Sequence, residues 1–150
     1  LASDPKEALR LLVARLREEA TPISPYVVDT EEEPVFGLLA AIGGRAAGAP
    51  GEYAFVVEAV REGYLLHYGT PRLLSNADAD LALLAGDYLY ALGIERLARL
   101  GDSRAIALLA GLISSCAQLH AEAREEEAPS LWRAAALAIG AGEDDDRGGA

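Results

Sequence analysis

The sequence predicts an all-α fold, a bundle of about six helices, and three observations carry that reading. The stretch Leu81 to Ile94 (LALLAGDYLYALGI) is apolar on every side of a helical wheel except at Asp87, which predicts a helix buried all round rather than one with a wet face. Ala105 to Ile113 (AIALLAGLI) reads the same way. Gly101-Asp102 between them supplies a C′ glycine and an N-cap aspartate, so the two apolar helices must share a core or a subunit interface. Composition agrees: 51% of the residues are hydrophobic, with Ala and Leu prominent, while aromatics make up 6%, a mixture that favours helices over sheets.

The 150 residues suit one domain, expected over residues 1–142, with the acidic, glycine-rich run 143–150 (EDDDRGGA) expected to be disordered. Lys and Arg number 13 against 24 Asp and Glu, a net charge of −11, so the average surface would repel nucleic acid and anionic membranes. A single cysteine excludes an internal disulfide, and no Cys/His cluster has metal-ligand spacing; no metal or cofactor is expected. No apolar run reads as a membrane span, and Asp4 and Lys6 argue against a signal peptide, so the expected location is the cytoplasm.

Taken in order, Asp4, Pro5 and Glu7 fit N-cap, first helical position and capping-box partner of a first helix running to about Ala20, with Leu9, Leu12, Val13 and Leu16 on one stripe. Pro22 and Pro25 hold the next stretch extended. Glu31-Glu32-Glu33 ahead of Pro34 suit the acidic first turn of a second helix, Val35 to about Ala47. After a turn at Gly48 to Gly51, Glu52 to His67 is predicted amphipathic, with Phe55, Val56, Ala59, Val60 and Gly63 on its buried side. Ser75 or Asn76 starts the central helix. Beyond Ile113 the helix continues through Cys116 and His120 into the charged run Glu122 to Glu127, and a last helix covers Leu131 to Ile139 around Trp132.

Asp87 is the sharpest candidate, because a carboxylate within an apolar helix must be paired, hydrogen-bonded or neutralised. Fixing packing through a neighbouring Tyr, Ser or Arg outweighs a ligand role. His67 and His120 have no partner in a triad pattern and read as helix-end or polar-face residues, and Cys116 as a small buried residue. Asp144 to Asp146 form a solvated run rather than a metal site, and no glycine loop has phosphate-cradling spacing.

At Ala85 to Ala91 (AGDYLYA) the chain resembles the all-helical trans-prenyl diphosphate synthases, the polyprenyl synthetase family. The Leu100-Gly101 turn follows at that family's spacing, VVEAVREGYLLH (Val56 to His67) is similar to its helix ending in L-L-H, and ALAIGA (Ala136 to Ala141) to its Ala-rich helix ending in G-A. In the family L-L-H runs directly into D-D-x-x-D, whose carboxylates hold Mg²⁺ on an allylic diphosphate. Here those positions hold Tyr68 and Gly69. The basic G-G-K-R-x-R expected before Pro34 is replaced by Glu31-Glu32-Glu33, and the second aspartate motif has no counterpart.

The resemblance therefore implies a reduced isoprenoid-synthase fold without prenyltransferase activity: an accessory or regulatory subunit that pairs, as a homodimer or with a complete prenyl synthase, through residues 81–113. In that reading Asp87, Tyr88, Tyr90 and Cys116 are polar residues of the interface or core. The alternative is a small dimeric binding protein for an isoprenoid or other apolar ligand, held by Phe55, Tyr64, His67 and Tyr88. A residual enzyme would need acidic groups from elsewhere.

Overall fold

The computed structural model describes residues 4–19 and 21–141, and within them the chain is all-helical. Six α-helices follow in order: α1 (Ala8–Glu18), α2 (Val35–Ala41), α3 (Pro50–Tyr68), α4 (Ala79–Leu100), α5 (Ser103–Ala121) and α6 (Ala128–Gly140). The expected acidic tail and the residues Asp144 to Asp146 lie outside the described residues.

The central helix is α3, not α4. Fourteen of the 19 residues of α3 are buried, Glu52, Glu58 and Glu62 among them, so its three acids do not mark a wet face. In α4 only Ala85, Gly86, Leu89, Leu92, Gly93 and Leu97 are buried, while Leu83 and Leu84 are exposed. The expectation of an all-round buried helix at Leu81 to Ile94 is thus corrected: its apolar residues face α3 on one side and solvent on the other.

α3 separates two hydrophobic cores. One face packs Phe55, Ala59 and Leu66 against α1 (Leu9, Leu12, Val13, Leu16), the loop residues Leu73 and Leu74, and α4 (Ala85, Leu89, Leu92). The other packs Val56, Val60 and Tyr64 against Leu97 of α4, α5 (Leu109, Leu112, Cys116) and α6 (Trp132, Ile139). A chain that passes a helix between two cores must bury every side of it, whatever polar residues it carries.

Local chemistry sets the ends. Asp4 accepts from the Lys6 amide at 2.9 Å and caps a 3₁₀ turn, Pro5–Glu7, that leads into α1, and Glu7 pairs with Arg10 instead of closing a capping box. Asp78, rather than Ser75 or Asn76, caps α4 by accepting from the Leu81 amide at 2.8 Å. At the α4–α5 turn Gly101 is left-handed (φ 72°) and Asp102 accepts from the Ala105 amide at 3.0 Å, as its Gly-Asp sequence implies. α2 stops at Ala41, short of Ala47, because the end of α6 crosses it: a Cβ on Gly140 would sit 1.9 Å from the Ala40 carbonyl oxygen, and one on Gly43 2.0 Å from that of Gly140. α5 ends at Ala121 instead of continuing into Glu122 to Glu127, and Pro129 opens α6 in its first turn, where its missing N–H costs nothing.

Candidate functional site

The polar groups of this molecule gather on α3. Glu58 and Glu62 lie one turn apart and share Arg72, which comes from the α3–α4 loop. Arg72 donates from Nη1 to Glu58 at 2.7 Å and from Nε to Glu62 at 2.9 Å. Glu58 also accepts the Gly37 amide at 2.8 Å, and Glu62 the amides of Arg72 and Leu73, each at 2.8 Å. Both carboxylates are sealed from water, and five backbone or guanidinium donors offset the cost of their burial. The result pins the loop that delivers Leu73 into the core.

Two further buried acids hold the other end of α3. Glu52 binds Arg96 of α4, whose guanidinium carbon lies 4.2 Å from the centre of the Phe55 ring. Asp102 takes both Nε and Nη2 of Arg45 at 3.0 Å and a short bond from the Tyr53 hydroxyl. Burial works to raise the Asp102 carboxyl, but Arg45, Tyr53 and the Ala105 amide together bring it down to about 2. Burial and the facing Asp102 carboxylate push the Tyr53 hydroxyl up to about 12.

The residues singled out from sequence fall into separate places. Asp87 is 73% exposed, so it is not a core carboxylate; its Oδ1 lies 3.2 Å from His67 Nε2 without the alignment of a hydrogen bond. His67 instead stacks on Tyr90, with ring centroids 5.2 Å apart, and His120 stacks on Tyr68 at 4.2 Å while its Nε2 meets the Tyr64 hydroxyl at 2.7 Å. The two histidines, 53 positions apart, thus converge on one wall of Tyr64, Tyr68 and Tyr90 where α3, α4 and α5 meet. Gly63 and Gly86 allow that meeting: the His67 ring lies 2.4 Å from where a Gly86 Cβ would be, and the Tyr90 ring 2.7 Å from that of Gly63.

Phe55 and Tyr88 belong to the opposite core, Tyr88 with its hydroxyl on Glu19. Phe55, Tyr64, His67 and Tyr88 therefore do not surround a common cavity. Cys116 is buried beside Trp132 and Tyr64, and burial pushes its thiol up, away from the reactive thiolate, against the pull of Arg61. Burial likewise raises Tyr90.

Arg61 was not legible as a site residue. Its guanidinium lies 4.9 to 5.1 Å from the ring centres of Phe36, Trp132 and Tyr64, in a cation–π box, and burial followed by the nearby Arg72 lowers its pKa. It borders a cavity of about 380 Å³ whose rim carries Glu32 and Glu33 and whose floor includes Arg72. Among the described residues no group of three or more His, Cys, Asp or Glu is arranged to hold a metal ion.

The open side of the molecule is the outer face of α5. From Ala105 to Ala121 α5 has no Asp, Glu, Lys or Arg, yet only Ala105, Leu109, Leu112, Cys116 and Leu119 are buried. By length and composition alone α5 is long and apolar enough to cross a membrane, contrary to the expectation that no run in the chain is, and only 28% of its apolar window is buried within the fold. Compared with protein-family models, curated proteins and solved structures, the chain finds no match.

Proposed function

We propose that this chain is a non-catalytic helical subunit that acts by pairing, through the outer faces of α4 and α5, with a prenyl diphosphate synthase whose product length or stability it tunes. The observation that carries the pairing is α5: a run of 17 residues without Asp, Glu, Lys or Arg, largely uncovered, in a chain of net charge −11. A surface so acidic repels other acidic proteins except where it is uncharged. Exposed Leu83, Leu84 and Ala91 of α4, with the single carboxylate of Asp87 among them, and Ala110 of α5 contribute to such a face, and its small residues let a second helix approach closely.

The prenyl-synthase side of the proposal rests on the sequence resemblance. Its two best segments pack together here, Gly86 of the G-D-Y-L-Y-A run against His67 of L-L-H. Tyr68, at the first position where the family has an aspartate, stacks on His120 instead of presenting a carboxylate. A carrier of apolar ligands is less well supported, because the aromatic residues that would line its pocket divide between the two cores.

Co-expression with a full-length trans-prenyl diphosphate synthase tests the reading. The two should co-purify in fixed ratio, and the synthase should release products of altered chain length. Separate elution with an unchanged product distribution would reject it.

A further inference from the structure

We propose that the groove between α5 and α6 is a docking site for an amphipathic helix of a partner chain, one whose apolar stripe ends in basic residues. Two cavities adjoin along this groove, sharing Ser115 and Leu131. The first, about 380 Å³, is floored by Ala107, Gly111, Ala134 and Ala138 and lined by no charged side chain. The second, about 520 Å³, is bordered by Glu122, Glu126 and Glu127 against Arg124 alone.

Arg124 is already engaged, donating to Glu122 at 2.9 Å and to Glu127 at 2.7 and 3.0 Å, and Glu126 has no cation within ion-pair distance among the described residues. One end of the groove is thus apolar and the other carries excess negative charge. From Ala107 to Glu122 the groove follows about 22 Å of helix, a little over four turns, which suits a helix read through anchors at i, i+3 or i+4 and i+7. No heavy atom comes within 4 Å of a Cβ placed on Gly111, so the floor is open for such contact.

A second copy of this chain fits poorly. Its one arginine-rich helix, α1 with Arg10, Arg15 and Arg17, has its apolar stripe of Leu9, Leu12, Val13 and Leu16 buried in its own core. The basic helix must come from a different chain.

The test uses the full chain and a fluorescein-labelled synthetic peptide of about 18 residues, with Leu and Ala at helical spacing on one face and three Lys at its C-terminal end, read by fluorescence anisotropy. Saturable binding should weaken as salt rises, fall about tenfold or more for the Glu122→Lys/Glu126→Lys chain, and recover on that chain when the peptide's Lys are replaced by Glu. Ala134→Glu should abolish it and Ala110→Glu, outside the groove, should not, which separates this site from the α4–α5 pairing face. Thermal melts confirm that each variant is folded. No saturable binding, or equal binding by all variants, overturns the proposal.

Discussion

Arg72 Nη1 lies 2.7 Å from Oε1 of Glu58, a carboxylate with no exposed surface, while its own Nε reaches Glu62 at 2.9 Å. One loop cation therefore serves two buried acids of the central helix. Replacing it by Met leaves both carboxylates buried without their counterion, and removing one partner of such a pair costs about 3–5 kcal/mol. Urea unfolding of Arg72→Met should show a loss of that size. Arg99→Met, which breaks only the exposed pair with Glu95, should change stability by less than about 1 kcal/mol.

The Tyr53–Asp102–Arg45 contact makes stability depend on pH at both extremes. Asp102 falls from 3.8 to about 2 on folding, so its contribution is present above pH 3.8 and is lost as the pH drops through 2. Tyr53 rises from 10.0 to about 12, so the stability it lends is complete below pH 10 and disappears as the pH climbs to 12. Melting temperatures should decline in both windows. Asp102→Asn should flatten the acid decline, and Tyr53→Phe should reduce the alkaline one without removing it, since burial and Glu19 also hold Tyr88 up at about 12.

Two glycine-to-alanine changes should have opposite signs. At Gly140 the new methyl would meet the Ala40 carbonyl oxygen at 1.9 Å, a backbone atom that cannot step aside, and the α2–α6 crossing should lose about 3 kcal/mol. At Gly111 the methyl meets nothing within 4 Å, and the gain in helix propensity should stabilise α5 by about 0.5–1 kcal/mol. Thermal denaturation of the two variants checks both.

Asp87→Ala should leave the isolated chain's stability within about 0.5 kcal/mol of the parent. The side chain is 73% exposed and its contact with His67 is poorly aligned. A loss of several kcal/mol in chemical denaturation would show that the carboxylate is structural after all.

The helical class and the Gly101-Asp102 turn were legible because each is written in adjacent residues, an apolar period, a cap, a left-handed glycine, whereas α5 ends at Ala121 short of the charged run and α6 begins at Ala128 ahead of Leu131. The identity of the central helix was not. Glu52, Glu58 and Glu62 looked like a solvated face because their cations stand elsewhere in the chain, Arg96 44 positions beyond Glu52 and Arg72 14 beyond Glu58, and periodicity carries no information about such pairs. Glu52, Glu58 and Glu62 fall within about 120° of one another on a helical wheel, which is the pattern of a single wet face. Asp87 misled for the reverse reason: apolar neighbours surround it on the wheel, but half of that wheel is left open to solvent, with Leu83 and Leu84 beside it. His67 and His120 were legible as helix-end residues, but their convergence on the tyrosine wall depends on how α3 and α5 cross, which neither segment encodes alone.

The most direct test of the account is the mass in solution, by light scattering after gel filtration, of this 15.7 kDa chain alone and mixed with a full-length prenyl diphosphate synthase. Pairing through the outer faces of α4 and α5 predicts at least a doubled mass for the chain alone or a stable complex in the mixture, with Ala110→Glu restoring the 15.7 kDa species in either case. A 15.7 kDa particle under both conditions, or an Ala110→Glu variant that assembles like the parent, would contradict it.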